Sequence, residues 1–152
     1  MAIVCIILLL AVFFRMRDVE NRRYSDPVLD LGQDFSQRTL YKSPGTTDAI
    51  TVTCTPSVIE KTPETLTVAI ENQGETISWS SVQKMRLEKW IDGDWYGPQP
   101  DDSADAAEIA NVLDEGASET YTYKINRFSP SGRYRLLYLF STEWCSVEFT
   151  VK

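Results

Sequence analysis

From residue 49 to the end of the chain, apolar and polar residues alternate with a period of two, in short runs bounded by turn residues. No other feature constrains the fold as strongly, because that period puts successive side chains on opposite faces of a strand. Ile50, Val52 and Cys54 alternate with threonines, Thr55-Pro56-Ser57 interrupts, and Val58-Ile59 resumes. Leu66, Val68 and Ile70 form the next alternating face, and Asn72-Gln73-Gly74-Glu75 turns the chain. Ile77 and Trp79 start a short edge strand, and Met85 to Ile91 is a further strand. It ends at Asp92-Gly93, the pair that suits a two-residue type I′ hairpin turn because both positions need positive φ. Residues 97–110 read as a long acidic loop, with Ser103 to Asn111 the one candidate for a helical turn. Tyr121, Tyr123 and Ile125 share a face; Tyr134 to Phe140 is apolar on both faces, as in a central strand; Val147, Phe149 and Val151 close the pattern. These runs predict an all-β, antiparallel two-sheet sandwich of about seven strands, with a closed barrel as the alternative.

The first residues are of a different kind. Ala2 to Phe14 is an unbroken run of thirteen apolar residues, followed by Arg15, Arg17, Arg22 and Arg23. As a helix it reaches about 20 Å, short of the roughly 30 Å hydrocarbon core of a bilayer. A signal-peptide core, a short anchor and an anchor that starts upstream all fit that length. Positive charge before the run and a small-x-small site after it, the marks of a signal peptide, are both missing. Residues 1–17 are therefore expected to be a membrane anchor or signal-like hydrophobic helix, and residues 18–48 a linker. The stretch 24–48 lacks periodicity and contains Pro27, Pro44 and Gly45, as an irregular spacer would. The domain proper is expected at 49–152.

Charge and composition exclude several functions. Residues 1–46 carry six Lys/Arg against five Asp/Glu, and residues 47–152 carry nine against seventeen, within a net charge of −7. An acidic module repels polyphosphate, so nucleic acid is not an expected partner. The chain has no histidine, which removes the commonest general base and zinc ligand. Ser129, Ser131 and Ser141 thus have no histidine to activate them, and the acids are scattered through turns and solvent faces. Asp92-Gly93-Asp94, with Asp101-Asp102 nearby, resembles the start of a calcium loop but lacks its later ligands. No enzymatic activity, metal or cofactor is expected.

Five stretches together resemble the bacterial Ig-like domains of cell-surface and lipoprotein-type proteins of Gram-positive bacteria. They are TLTVAIENQGE at 65–75, MRLEKWIDGDWYGP at 85–98, VLDEGASETYTYKI at 112–125, FSPSGRYRLLYLF at 128–140 and CSVEFTVK at 145–152. The resemblance spans residues 49–152, with one extra residue in Pro130-Ser131-Gly132. It implies an immunoglobulin-like sandwich acting as an adhesive, spacer or scaffold module, with no catalytic or metal residues to carry over. Tyr134 looks like a tyrosine-corner residue, whose hydroxyl bonds back to nearby backbone. Trp90, Trp95 and Tyr96 are either packing residues or a candidate stacking platform for a glycan. Cys54 continues the face of Ile50 and Val52, and Cys145 has the parity of Val147, Phe149 and Val151. A Cys54–Cys145 disulfide is expected on that parity, the alternative being two buried thiols acting as small hydrophobes.

The expected function is a membrane-tethered extracytoplasmic interaction or spacer module, held by residues 2–14 and meeting a protein or cell-wall partner. A carbohydrate-binding module is the second reading. A cytoplasmic-facing regulatory domain is the third, because the four arginines after the apolar run favour keeping the C-terminal side of that run inside.

Overall fold

The computed structural model describes residues 27–39, 49–60, 64–80, 85–99, 110–126, 128–140 and 143–152. The expected hydrophobic helix, the following residues up to 26, the stretch 40–48 and residues 103–109 of the candidate helical turn lie outside them. The described residues form β1 (Val28–Leu29), β2 (Gln37–Arg38), β3 (Ile50–Thr55), β4 (Val58–Ile59), β5 (Thr65–Asn72) and β6 (Ile77–Ser80). They continue as β7 (Arg86–Ile91), β8 (Asp94–Gly97), β9 (Ala110–Leu113), β10 (Ser118–Ile125), β11 (Gly132–Phe140) and β12 (Glu143–Val151). Ala110 and Asn111, read as the end of a helical turn, instead belong to β9, which pairs with β6.

One sheet has the order β1-β10-β5-β3, the other β2-β8-β7-β11-β12-β4, with β6 beside β11 and β9 beside β6. Pairing is antiparallel except for two short ladders, β1 with β10 and β4 with β12. The chain crosses from the first sheet to the second at Pro56, between β3 and β4. The two inner faces share one core, with Ile50, Val52, Leu66, Val68, Ile70, Tyr123 and Ile125 on one side and Tyr134, Leu136, Tyr138, Phe140, Val147, Phe149 and Val151 on the other. That is a β-sandwich, and the alternation in each strand is what fills it. The β7–β8 turn has Asp92 at φ 49° and Gly93 at φ 95°, the two positive values that the Asp-Gly pair is suited to adopt.

The reading of 18–48 as linker throughout is corrected over residues 27–39. Leu29 and Leu31 are buried in the common core, and Phe35 packs against it, its ring 6.0 Å from that of Tyr134. Lys124 N–H donates to the Pro27 carbonyl, and Thr39 N–H to that of Trp95. The signal was the alternation Leu29-Asp30-Leu31, too short to stand out from a spacer. Residues 27–39 thus lay one edge strand on each sheet and cover backbone groups that would otherwise be exposed there.

Candidate functional site

Side chains with chemistry gather on the outer face of the second sheet. Register puts Trp90 opposite Trp95, Glu88 opposite Arg135, and Arg135 opposite Glu148. Alternation adds Arg86 and Arg133 to the same face. Glu88 and Arg135 are completely buried there. Arg135 Nε and Nη2 both donate to Glu88 Oε2, at 2.8 and 2.6 Å. Arg86 Nε donates to Glu88 Oε1 at 2.8 Å. One carboxylate thus takes a guanidinium on each oxygen, an arrangement that offsets the desolvation of all three charges. Gly97 makes room for it, because a Cβ at that position would run into the Arg86 guanidinium. β2 adds Gln37, whose Oε1 accepts from Arg86 Nη2 at 3.5 Å.

The two tryptophans continue the layer. Their ring centroids are 5.0 Å apart and their planes meet at 69°, edge to face. The Arg133 guanidinium lies 5.1 Å from the Trp90 ring and 5.4 Å from the Trp95 ring, and that of Arg135 lies 4.5 Å from Trp95. Arg133 also holds Glu148, Nη2 to Oε2 at 2.6 Å. Cations, rings and carboxylates therefore alternate across the face. A carboxylate with both oxygens committed to guanidinium groups cannot serve as a general base without breaking the network. The reading of all the acids as turn or solvent-face residues is corrected at Glu88.

Of the residues singled out in the sequence, Trp95 is buried and its ring meets that of half-buried Trp90 at 69°. With Tyr96 on the opposite parity of β8, the three rings do not form one flat exposed platform. Tyr134 Oη donates to the Pro130 carbonyl at 2.7 Å, four residues back, in tyrosine-corner geometry. Asp92 is in the hairpin turn and Asp94 follows it, and Asp94 Oδ1 accepts from Arg38 Nη2 at 2.7 Å, which raises the Arg38 pKa. Asp101 and Asp102 lie outside the described residues, and among those described no group of acids or cysteines could hold a metal ion.

The expected disulfide is absent. Neither Cys54 nor Cys145 is in a disulfide. Cys54 sits on β3 opposite Val68, and its Sγ donates to the Glu148 carbonyl of β12 at 3.3 Å. Cys145 is three residues from Glu148 along β12, about 10 Å in an extended strand, against the roughly 4.4–6.8 Å between Cα atoms that a disulfide spans. Parity was a sound guide to the face but says nothing about stagger along the neighbouring strand. Burial pushes the Cys54 thiol pKa up, away from thiolate chemistry. Alkylation of the denatured chain should therefore give the same number of adducts with and without reductant; a count that rises by two on reduction would restore the disulfide.

The family model for the bacterial Ig-like domain matches residues 46–150. The chain belongs to that family. No curated protein matches its sequence. Among solved structures, the Ig-like chain is similar to an alkylpurine DNA glycosylase of Pseudomonas fluorescens bound to DNA with an abasic-site analogue, at 16% identity and TM-score 0.37. That likeness covers 68% of this chain and 30% of the glycosylase. A β-glucosidase of Listeria innocua in complex with glucose shares 11% identity at TM-score 0.37, over 67% of this chain and 16% of that one. The CARDB domain of a Pyrococcus furiosus protein, in complex with di-metal ions, shares 16% identity at TM-score 0.37, over 75% of this chain and all of that one. The Ig-like chain thus spans less than a third of the first two, and likeness at this level carries no activity, DNA contact or metal across.

Two polar features of the Ig-like domain escaped the sequence reading. Asn72 is buried, and its Nδ2 donates to the carbonyls of Glu75, Leu113 and Asp114 while its Oδ1 accepts from Gly74 N–H. It ties the β5–β6 turn to the β9–β10 turn, a role invisible in a residue read only as turn-forming. Between the sheets, the hydroxyls of Tyr123 and Tyr138 meet at 3.0 Å, both fully buried. One hydroxyl donates to the other away from solvent, and burial raises the pKa of both.

Proposed function

We propose that the chain is a membrane-tethered, extracytoplasmic Ig-like module that works through interaction or as a spacer and not through catalysis. The observation that carries this is the thirteen-residue apolar run at 2–14, only thirteen residues ahead of a sandwich whose first strand pairs at Val28. The network on the outer face supports a non-catalytic reading, since its one buried carboxylate is saturated by two arginines. A protein or cell-wall component is the partner class, the domain's acidity disfavouring polyanions.

The test is fractionation of cells expressing the full chain and a deletion of residues 1–17. The full chain should sediment with membranes and the deletion should appear soluble and folded. A soluble full chain would sink the tether. External protease on intact cells then reads the side: cleavage places the domain outside, while protection favours the cytoplasmic-facing regulatory reading raised by Arg15, Arg17, Arg22 and Arg23. The carbohydrate reading is answered by a glycan array, where binding lost on Trp90→Ala would revive it.

A further inference from the structure

We propose that the end of the sandwich carrying Phe128 rests against the lipid bilayer that holds residues 2–14; this builds on the tether reading above. The registers define that end. Gly132 of β11 lies opposite Val151 of β12, Ile59 of β4 also lies beside Val151, and Val28 of β1 lies beside Lys124, one residue from the end of β10. The Asp92-Gly93 turn, residue 126 and residues 128–131 lie at the same end, since Lys89 pairs with Tyr134 and β11 starts at Gly132. Four large apolar side chains are strongly exposed among the described residues, and three of them are here: Phe128 at 86%, Val28 at 62% and Val58 at 40%. The fourth, Val112, is at the opposite end, on the strand that pairs with β6.

The path of the chain says what covers this end. Residues 15–26 join the apolar run to Pro27, and twelve residues reach at most about 40 Å fully extended. Pro27 is already bonded to Lys124 N–H, so the chain enters the domain at the Phe128 end and not at the far one. The far end is a further roughly 30 Å away along the nine-residue β11 and β12. Arg15, Arg17, Arg22 and Arg23 in the connecting stretch are each drawn to an anionic headgroup layer by about 1 kcal/mol, which shortens its effective reach. An aromatic ring at a loop tip suits the interfacial layer of such a surface.

Charge selects the same orientation. The far end carries Glu71, Glu75, Asp114, Glu115 and Glu119 with no lysine or arginine among its described residues. At the near end cations stand among the acids: Arg38 with Asp94, Lys152 with Glu60 and Arg133 with Glu148, at 2.7, 3.2 and 2.6 Å, and Lys89 and Lys124 at the same end as Asp30 and Asp92. An anionic bilayer therefore repels the far end and tolerates the near one. The orientation is the same on either side of the membrane.

The test uses the full chain in phosphatidylcholine–phosphatidylglycerol vesicles, with Phe128 or, separately, Val112 replaced by the photo-crosslinking residue p-benzoylphenylalanine. Vesicle flotation is read first, then the mass of the adducts after illumination. The expected result is flotation of both proteins and a lipid adduct at 128 several-fold above that at 112. Flotation with equal adducts at the two positions overturns the docking and leaves the tether standing. Failure to float overturns the tether and the docking with it. A protein–protein adduct at 128 in place of the lipid one assigns this end to a second copy of the chain and overturns the proposal.

Discussion

Replacing Glu88 by glutamine lowers the stability of the folded domain by about 3–5 kcal/mol, the usual cost of removing one partner from a buried ion pair. Glu88 and Arg135 are both wholly buried, and Arg86 is largely so, with 19% of its side chain exposed. The glutamine keeps the shape but leaves two guanidinium groups facing a neutral amide. Part of one Glu88–arginine bond survives, since the amide oxygen still accepts, but its nitrogen turns a donor toward a donor. Arg135 cannot recover its hydration, because it lies between the Glu88 carboxylate and the Trp95 ring. The double variant Glu88→Leu with Arg135→Met should regain most of the loss, since an apolar replacement of a buried pair is often neutral or better. Urea unfolding of the two variants and the parent measures this. A loss below about 1 kcal/mol in Glu88→Gln, the range of exposed pairs, would mean that the network is open to water.

How much of this was legible depends on the range of each signal. The strands of the sandwich follow from alternation within a few residues, and the Asp92-Gly93 turn from two adjacent ones, so both were readable. Tyr134 was readable because its bond to Pro130 closes over four residues. Glu88 and Arg135 are 47 residues apart; Glu88 alone reads as a solvent-face acid, and Arg135 stands inside a run that reads as apolar on both faces. Only the β7–β11 register joins them, and register across sheets is set by the packing of the whole inner face. The same limit undid the disulfide. Cys54 and Cys145 have the right parity, but the stagger of β3 against β12 brings Cys54 to Glu148. Residues 27–39 failed for another reason: β1 and β2 are two residues long, too short for any period to appear. Their place is given by the sheet edges they fill.

The domain should also lose stability steeply above pH 10, through tyrosines that the fold keeps neutral. Burial raises the pKa of Tyr123 and Tyr138, and for Tyr138 the neighbouring Tyr123 hydroxyl adds to the rise. Burial pushes Tyr134 up to about 12. In the unfolded chain each ionises near pH 10. Below that, folded and unfolded states bind the same phenolic protons, and these groups leave stability unchanged with pH. Above about pH 10 the unfolded chain releases phenolic protons that the folded one, with its raised pKa values, still retains. Stability then falls by up to about 1.4 kcal/mol per pH unit for each tyrosine that stays protonated in the folded state. Tyr121, raised by burial and by its hydrogen bond to Glu119, adds in the same direction. The measurement is paired titration of phenolate absorbance and circular dichroism, in the parent and in Tyr123→Phe with Tyr138→Phe. The double variant gives up a buried hydrogen bond of about 1 kcal/mol at neutral pH but should show a clearly shallower alkaline slope, since two of the three retained protons are gone. That contrast cancels whatever the lysines contribute in the same range. Tyrosines that all titrate near pH 10 while the sheet signal holds would show that water reaches the Tyr123–Tyr138 pair without unfolding the sandwich.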